Sequence, residues 1–385
     1  MRIDQIILPA GAAGHAILAA DRADRHAPSP QLVLAFAAPA FFADGTLAGR
    51  LRAAYPGAVI AGCSTAGEIA GPMVYDQRCV LTALSFEDTD VHAASTTLDA
   101  MADSAAAGAA LAAQLPHQGL AAALLLGVGV AVNGSALVAA FERGLPAGVA
   151  VSGGLAADGG AFERTWTLGP AGCADNRVVA VGLYGTRLRL GHGSVGGWQP
   201  FGPTRRITRA DGNVLYELDG ERALDIYKLY LGSYADGLPA SGLLFPFELQ
   251  GDERACGVIR TILAMDETSG SLVLAGDVPV DGHLRLMHAD TEKLIDGAEA
   301  AARHAAGAHG TAPQGDCLAL LVSCVGRRLV MGDRIDEEVE AVAAIFGERT
   351  VLAGFYSNGE IAAPAPGAPC RLHNQTMTIT VLGEV

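Results

Sequence analysis

GCSTAGEIAGP fills residues 62–72 and GFYSNGEIAAP fills residues 354–364. The two stretches, far apart in the chain, share Gly, Gly-Glu-Ile-Ala and Pro at the same offsets. Each follows a short apolar run of the kind that forms a buried strand: Ala58 to Gly62 before the first and TVLAGF (350–355) before the second. Upstream of each lie a helical pattern and a further apolar run. QLVLAFAA (31–38) reads as a strand, and residues 44–55 read as a helix with Leu47, Leu51 and Ala54 on one face, stopped by Pro56-Gly57. LALLVSCV (318–325) is the matching strand near the C-terminus. It leads to a helix over 335–346 whose first turn is acidic, as the helix dipole favours. A middle copy has AAALLLGVGV (121–130) as a strand and a helix over 135–143 opened by Asn133-Gly134-Ser135, then GVAVSGG (148–154) as the second strand. A unit of strand, helix, strand and Gly-rich loop therefore recurs at 31–71, 121–160 and 318–364. The expected fold is α/β, with mixed sheets layered with helices and pseudo-symmetric loops gathered at strand ends.

A chain of 385 residues is long enough for two domains. Half of it is hydrophobic, and its net charge of -15 argues against a nucleic-acid or anionic-membrane surface. Seven cysteines, an odd count with no CxxC pair, argue against a zinc site or a disulfide framework. The apolar run 120–132 is too short to span a bilayer, and the opening MRIDQIILPAG is too short for a signal peptide. The expected setting is cytoplasmic and reducing, without membrane insertion. A polar, turn-rich stretch over 192–220 marks the expected boundary, with domains at 1–218 and 219–385. Beyond it, 223–231 and 292–304 read as helices, and Thr268-Ser269-Gly270 reads as a hairpin turn.

Several motifs together resemble the FIST family, with FIST N and FIST C domains in tandem. They are GCSTAGEI (62–69), GLPAGVAVSGGLAADG (144–159), GWQPFGPTRRIT (197–208), LDGERALDIYKLYLG (218–232), SCVGRRLVMG (323–332), the 354–364 loop and LHNQTMTIT (372–380). The resemblance runs from about residue 30 to the end. It implies a small-ligand sensor that works beside chemotaxis receptors, histidine kinases or cyclic-di-GMP enzymes. The free-standing bacterial type resembles haem-binding nitric oxide sensing proteins that regulate a partner histidine kinase. On that resemblance the expected cofactor is haem b, the ligand a gas, and the partner a histidine kinase or a cyclic-di-GMP signalling protein; a homodimer is allowed. The residues themselves leave open a haem-free sensor of a small polar metabolite such as an amino acid.

Two readings of the repeated loops stand side by side. In one, Ser64, Thr65 and Glu68, with Tyr356, Ser357, Asn358 and Glu360, form the polar lips of a ligand pocket. In the other, each loop is a tight strand exit whose glycines take left-handed backbone and whose Glu caps local amides. Arg327 is a candidate partner for a haem propionate or another anion, or else an ion-pair partner of the acidic stretch 333–340. A haem would need an axial ligand, and the candidates in order are His373, His288 and His192. His373 also reads as a core histidine tying the C-terminal strand to the second loop. No CxxCH is present, so covalent haem attachment is excluded. No enzyme is expected: the Ser and Cys residues lack a base in view, and no Walker, HExxH or GxSxG pattern occurs.

Overall fold

The computed structural model describes residues 1–9, 29–250, 258–310, 315–363 and 367–385. Pro364, the last residue of the second motif, and Cys256 lie outside the described residues.

The recurring unit becomes a structural repeat used three times. In the first repeat an edge strand, Arg2–Pro9, precedes the inner strand Leu32–Ala37, the helix Leu47–Ala54 and the second inner strand Val59–Ser64. A short hairpin follows, Glu68–Ala70 with Met73–Tyr75, and then a closing strand, Arg78–Ser85. In the second repeat the edge strand is Asp90–Thr97, the inner strands are Leu120–Gly127 and Ala150–Leu155, the hairpin is Thr167–Gly169 with Gly172–Ala174, and the closing strand is Arg177–Tyr184. In the third they are Leu188–Val195, Cys317–Cys324 with Thr350–Ser357, Gly359–Ala362 with Arg371–His373, and Met377–Glu384.

Each repeat builds one six-stranded sheet in the same order: edge, closing, first inner, second inner, and then a hairpin supplied by another repeat. The inner pairs are parallel, and their uninterrupted burial explains why the sequence shows continuous apolar runs there rather than alternation. The hairpins are exchanged cyclically. The first repeat's hairpin completes the third sheet, the second's completes the first, and the third's completes the second. The inner faces of the three sheets meet in one core, where Phe36 stacks on Phe355 with ring centroids 4.5 Å apart and packs with Leu124, Leu126, Leu320 and Val322. Helices cover the outer faces. Leu47–Ala54 lies on the first sheet, Ser104–Gln114 and Gly134–Gly144 on the second, and Thr291–His309 and Ile335–Ile345 on the third. Asn133 caps its helix through its side-chain oxygen, which accepts from the Ala136 amide at 3.0 Å.

After Leu188–Val195 the chain leaves the ring to form an eight-stranded antiparallel sheet between residues 199 and 288, with the helix Ala223–Leu231 packed on it over a separate core. It then returns through Thr291–His309 to complete the third repeat. The expected boundary at 218/219 lies inside this inserted sheet, between the paired strands Val214–Leu218 and Glu221–Arg222.

Candidate ligand cleft

The Gly-rich loops sit where the repeats interlock. At Gly62, Gly153 and Gly354 the second inner strand passes so close to its parallel neighbour that a Cβ would fall 1.9 Å from the carbonyl oxygen of Ala35, Leu125 or Leu321. Glycine is the residue that fits such an approach. The three loops then superimpose in their hydrogen bonds. The Ala66 amide donates to Tyr356 O at 2.9 Å, the Asn358 amide to Leu155 O at 3.1 Å and the Ala157 amide to Ser64 O at 2.8 Å. In this frame Glu68 corresponds to Glu360 and, in the second repeat, to Thr167.

The two carboxylates latch the exchanged hairpins. One oxygen of Glu68 accepts from the Thr65 hydroxyl and the other from the Arg78 amide at 3.0 Å. Glu360 accepts from Ser357 Oγ at 2.7 Å and from the amide and hydroxyl of Thr376 at 3.1 and 3.0 Å. Each therefore ties its hairpin to the start of its own closing strand. Thr167 makes the corresponding tie by donating to Arg177 O at 2.9 Å. Burial pushes the Glu68 carboxyl up to about 7 and that of Glu360 up to about 8.

Around these latches the repeats differ. In the first repeat a cleft of about 280 Å³ stands open, lined by residues 38–40, 65–68, 76, 77, 158 and 159. Its polar wall is Thr65, Glu68, Asp76, Gln77 and Asp158. Both oxygens of Asp158 accept main-chain amides, those of Phe162, Glu163 and Arg164 at 2.8, 2.7 and 2.9 Å, so it also holds its loop in shape. Asp76 takes a two-pronged contact from Arg328, 2.7 Å to each oxygen, and Arg328 also donates to Ala66 O. In the second repeat the corresponding place is filled from within. Thr165 Oγ1 accepts from the Gly129 amide at 2.9 Å, and Asn358 Nδ2 donates to Gly129 O at 3.4 Å. In the third repeat a turn of the inserted domain, Ala240–Leu244, covers it, and Gln375 Nε2 donates to Leu243 O at 2.9 Å.

Of the residues expected at a pocket, the structure brings Thr65 and Glu68 together on the cleft wall. Ser64 is buried behind it, donating to Ala157 O at 2.7 Å and accepting from the Trp166 amide at 2.9 Å. Ser357 and Glu360 are buried at the covered third position, and Asn358 fills the second. Tyr356 and Arg327 do not reach the cleft. Tyr356 points into the third repeat's outer layer and donates to Glu338 at 2.6 Å. Arg327 is fully buried beside it, with Nε and Nη2 3.1 and 2.6 Å from Glu338 Oε2 and Nη2 2.8 Å from Leu294 O. The cause is that SCVGRRLVMG continues from the strand into the helix Val325–Met331, which turns this arginine inward against Glu338. The cleft residues Asp76 and Gln77 escaped sequence analysis. A signal was present: DQR (76–78), DNR (175–177) and NQT (374–376) recur at the start of each closing strand.

The three axial candidates differ in what they can offer a haem. His373 is buried as the strand partner of Glu360, with Nε2 3.1 Å from Ala362 O, and burial brings its imidazole down to about 4. His288 packs edge-on against Phe201, with centroids 5.7 Å apart. His192 pairs Nδ1 with Thr380 Oγ1 at 3.0 Å, while its Nε2 has no hydrogen-bond partner among the described residues. It borders a second cleft, of about 510 Å³, with Val149, Val151, Leu190 and Cys370. The unpaired Nε2 of His192 is itself buried, so in this arrangement it lies behind the cleft wall rather than open to it. Among the described residues lining that cleft no Lys or Arg stands to meet a propionate, and Glu142 adds a carboxylate. Among the described residues no group of three or more His, Cys, Asp or Glu is placed to hold a metal ion.

Residues 31–221 match the FIST N domain and residues 223–363 match the FIST C domain. The chain belongs to the FIST family. FIST domains are sensor domains in signal transduction, sensory rather than catalytic. The two FIST segments meet inside the inserted sheet: FIST N carries the first repeat without its edge strand Arg2–Pro9, the second repeat and the edge strand of the third, and FIST C carries most of the remainder but stops before the closing strand Met377–Glu384. Among curated proteins the chain is similar to an uncharacterised Mycobacterium tuberculosis protein found in strains CDC 1551 and H37Rv, at 29% identity over 203 residues, 50% of this chain and 51% of that one. The chain therefore spans about half the length of the curated relatives it matches. Among solved structures it aligns with a cyanuric acid hydrolase from A. caulinodans at 10% identity and a TM-score of 0.36, over 100% of this chain and 99% of that one. That likeness is too low to carry an argument. No helix among the described residues is long and apolar enough to cross a membrane.

Proposed function

We propose that this FIST chain is a non-enzymatic, cytoplasmic sensor that binds a small polar metabolite, such as an amino acid, in the Glu68 cleft. The observation that carries this reading is the broken symmetry of the three repeats. One position is filled by Thr165 and Asn358, one is covered by a turn of the inserted domain, and the first is open with polar groups on its wall. Glu68 serves both as cleft wall and as latch. A ligand ammonium that engages its carboxylate favours the ionised form and competes with Thr65 and the Arg78 amide for its oxygens. That loosens the tie between the first repeat's hairpin, which completes the third sheet, and its own closing strand, and a partner reads the resulting shift of population. On the family resemblance the partner is a histidine kinase or a cyclic-di-GMP signalling protein. A thermal-shift screen of amino acids and polar metabolites tests the reading, run on the wild type and on Ala40→Trp. That substitution, at an exposed wall residue, fills the cleft without touching the latch. Hits that vanish in the variant support it; hits that persist unchanged, or a folded protein with no hit, contradict it.

A second reading starts from one observation, the unpaired Nε2 of His192, which is buried behind the wall of the larger cleft and would have to turn into it. There the chain would hold haem b through His192 and sense nitric oxide; the bound iron would supply the gas-binding chemistry. Thr380 would fix the ring through Nδ1. An absorption spectrum after haem supply decides it: a stoichiometric Soret band lost in His192→Ala supports this reading, and a flat spectrum removes it.

A further inference from the structure

The covered position in the third repeat reveals what the open cleft is shaped to hold. Cys324, Val325 and Gly326 stand where Ala38, Pro39 and Ala40 line the cleft, because the Cys324 and Ala38 amides make the same bond, to Thr376 O and Arg78 O. Gln375 stands where Gln77 does. Both take left-handed backbone, φ 61° and 56°, so the two turns share one shape. Their side chains differ in company. Gln375 is fully buried, packed on Gly326, and gives its Nε2 to the main-chain oxygen of Leu243 at 2.9 Å. The turn that carries Leu243, Ala240–Leu244, is steadied from its other side by Tyr227, whose hydroxyl donates to Phe245 O at 2.8 Å. The inserted domain thus lays a stretch of main chain into the third repeat's position. Gln77 is exposed and its side chain has no such acceptor among the described residues.

We propose that the open cleft receives a peptide segment, with the Gln77 carboxamide donating to a main-chain carbonyl as Gln375 donates to Leu243. This rests on the reading of the Glu68 cleft as the ligand site and names its ligand class. The two positions also differ in charge: Asp76, paired with Arg328, replaces Asn374, and Asp158 adds a carboxylate with no cation beside it among the described residues to the wall from the second repeat. The open cleft therefore suits a segment whose carbonyl lies beside a cationic group, an amino terminus or a basic side chain. Such a segment can be a free short peptide or an exposed loop of a partner protein.

The test is a titration of the ¹⁵N-labelled full chain with three probes: Gly-Leu-Leu amide, the same peptide acetylated at its amino terminus, and free leucine. The tripeptide is expected to move the amides of Ala38, Ala40, Gly67 and Gln77 and to bind roughly tenfold more tightly than leucine. Gln77→Gly, which leaves the left-handed backbone unstrained, is expected to remove that difference. Binding lost on acetylation shows that the cleft requires the cationic group beside the carbonyl; binding kept shows that the carbonyl contact suffices and assigns a protein loop. Equal binding of peptide and leucine, or a peptide affinity unchanged in Gln77→Gly, overturns the inference and leaves the metabolite reading in place. No response at these amides to any probe also overturns the inference, while the metabolite reading is decided by the thermal-shift screen.

Discussion

Glu360 and His373 face each other across a strand pair, and both are held by burial in their uncharged forms. Their pH effects have opposite signs. The Glu360 carboxyl, raised from 4.5 to about 8, stays protonated in the folded chain while the unfolded chain loses its proton, so stability is lost as pH rises from about 4.5 through 8. The effect is on the order of 5 kcal/mol. His373, lowered from 6.5 to about 4, costs stability as pH falls across that window. Glu360→Gln keeps the latch, because an amide can still accept from Thr376 and donate to Ser357. It is expected to reduce the stability decline between pH 4.5 and 8, leaving the share of Glu68 below about 7, and to leave the acid side unchanged, as measured by urea denaturation across pH. An unchanged alkaline decline would show that Glu360 is not its source. The sequence exposed both glutamates through the repeated GEI, but not their partners. Arg78 and Thr376 lie ten and sixteen residues downstream, across the whole hairpin. Arg327 was legible as a candidate for pairing with the acidic stretch, yet its depth was not, because burial depends on how the following helix packs.

At the scale of elements, long apolar runs and helical faces were readable. The helix expected at 335–346 is Ile335–Ile345, and that at 223–231 is Ala223–Leu231. The edge strands and the exchanged hairpins were not. A three-residue strand such as Glu68–Ala70 is too short to show a period, and its partner, Ala353–Phe355, lies in another repeat. What the sequence did carry is the glycine that permits the close approach of inner strands. Gly354→Ala sets a Cβ against Leu321 O and is expected to cost about 3 kcal/mol or more. Gly347→Ala, where a Cβ meets nothing within 4 Å, serves as the control. Thermal denaturation of the pair checks it: similar midpoints would show that the strands are not so tightly apposed.

For the molecule as a whole, the exchange of hairpins makes the three repeats one interlocked ring. A cut at residue 186, between the closing strand Arg177–Tyr184 and the edge strand Leu188–Val195, leaves the third sheet without its hairpin in one piece and the second sheet without its hairpin in the other. Fragments 1–186 and 187–385 are expected to misfold alone and to co-purify as a one-to-one complex when expressed together. Cooperative unfolding of 1–186 by itself would show that the exchange does not bind the halves. The sequence disclosed the threefold recurrence but also pointed to a two-part chain. The inserted sheet, with its polar, turn-rich entry, marks a boundary in composition that the ring does not share. It also hid which loop stays open, since that depends on Thr165, Asn358 and Leu243 arriving from elsewhere in the chain.

The central claim is that broken symmetry leaves the Glu68 cleft as the sensing site. The most direct measurement is the amide spectrum of the full chain with the strongest hit from the ligand screen. The account predicts that the largest shifts fall on residues 38–40, 65–68, 76–77 and 158–159. Shifts centred instead on Val149, Val151, His192 and Cys370 would contradict it and move the site to the larger cleft.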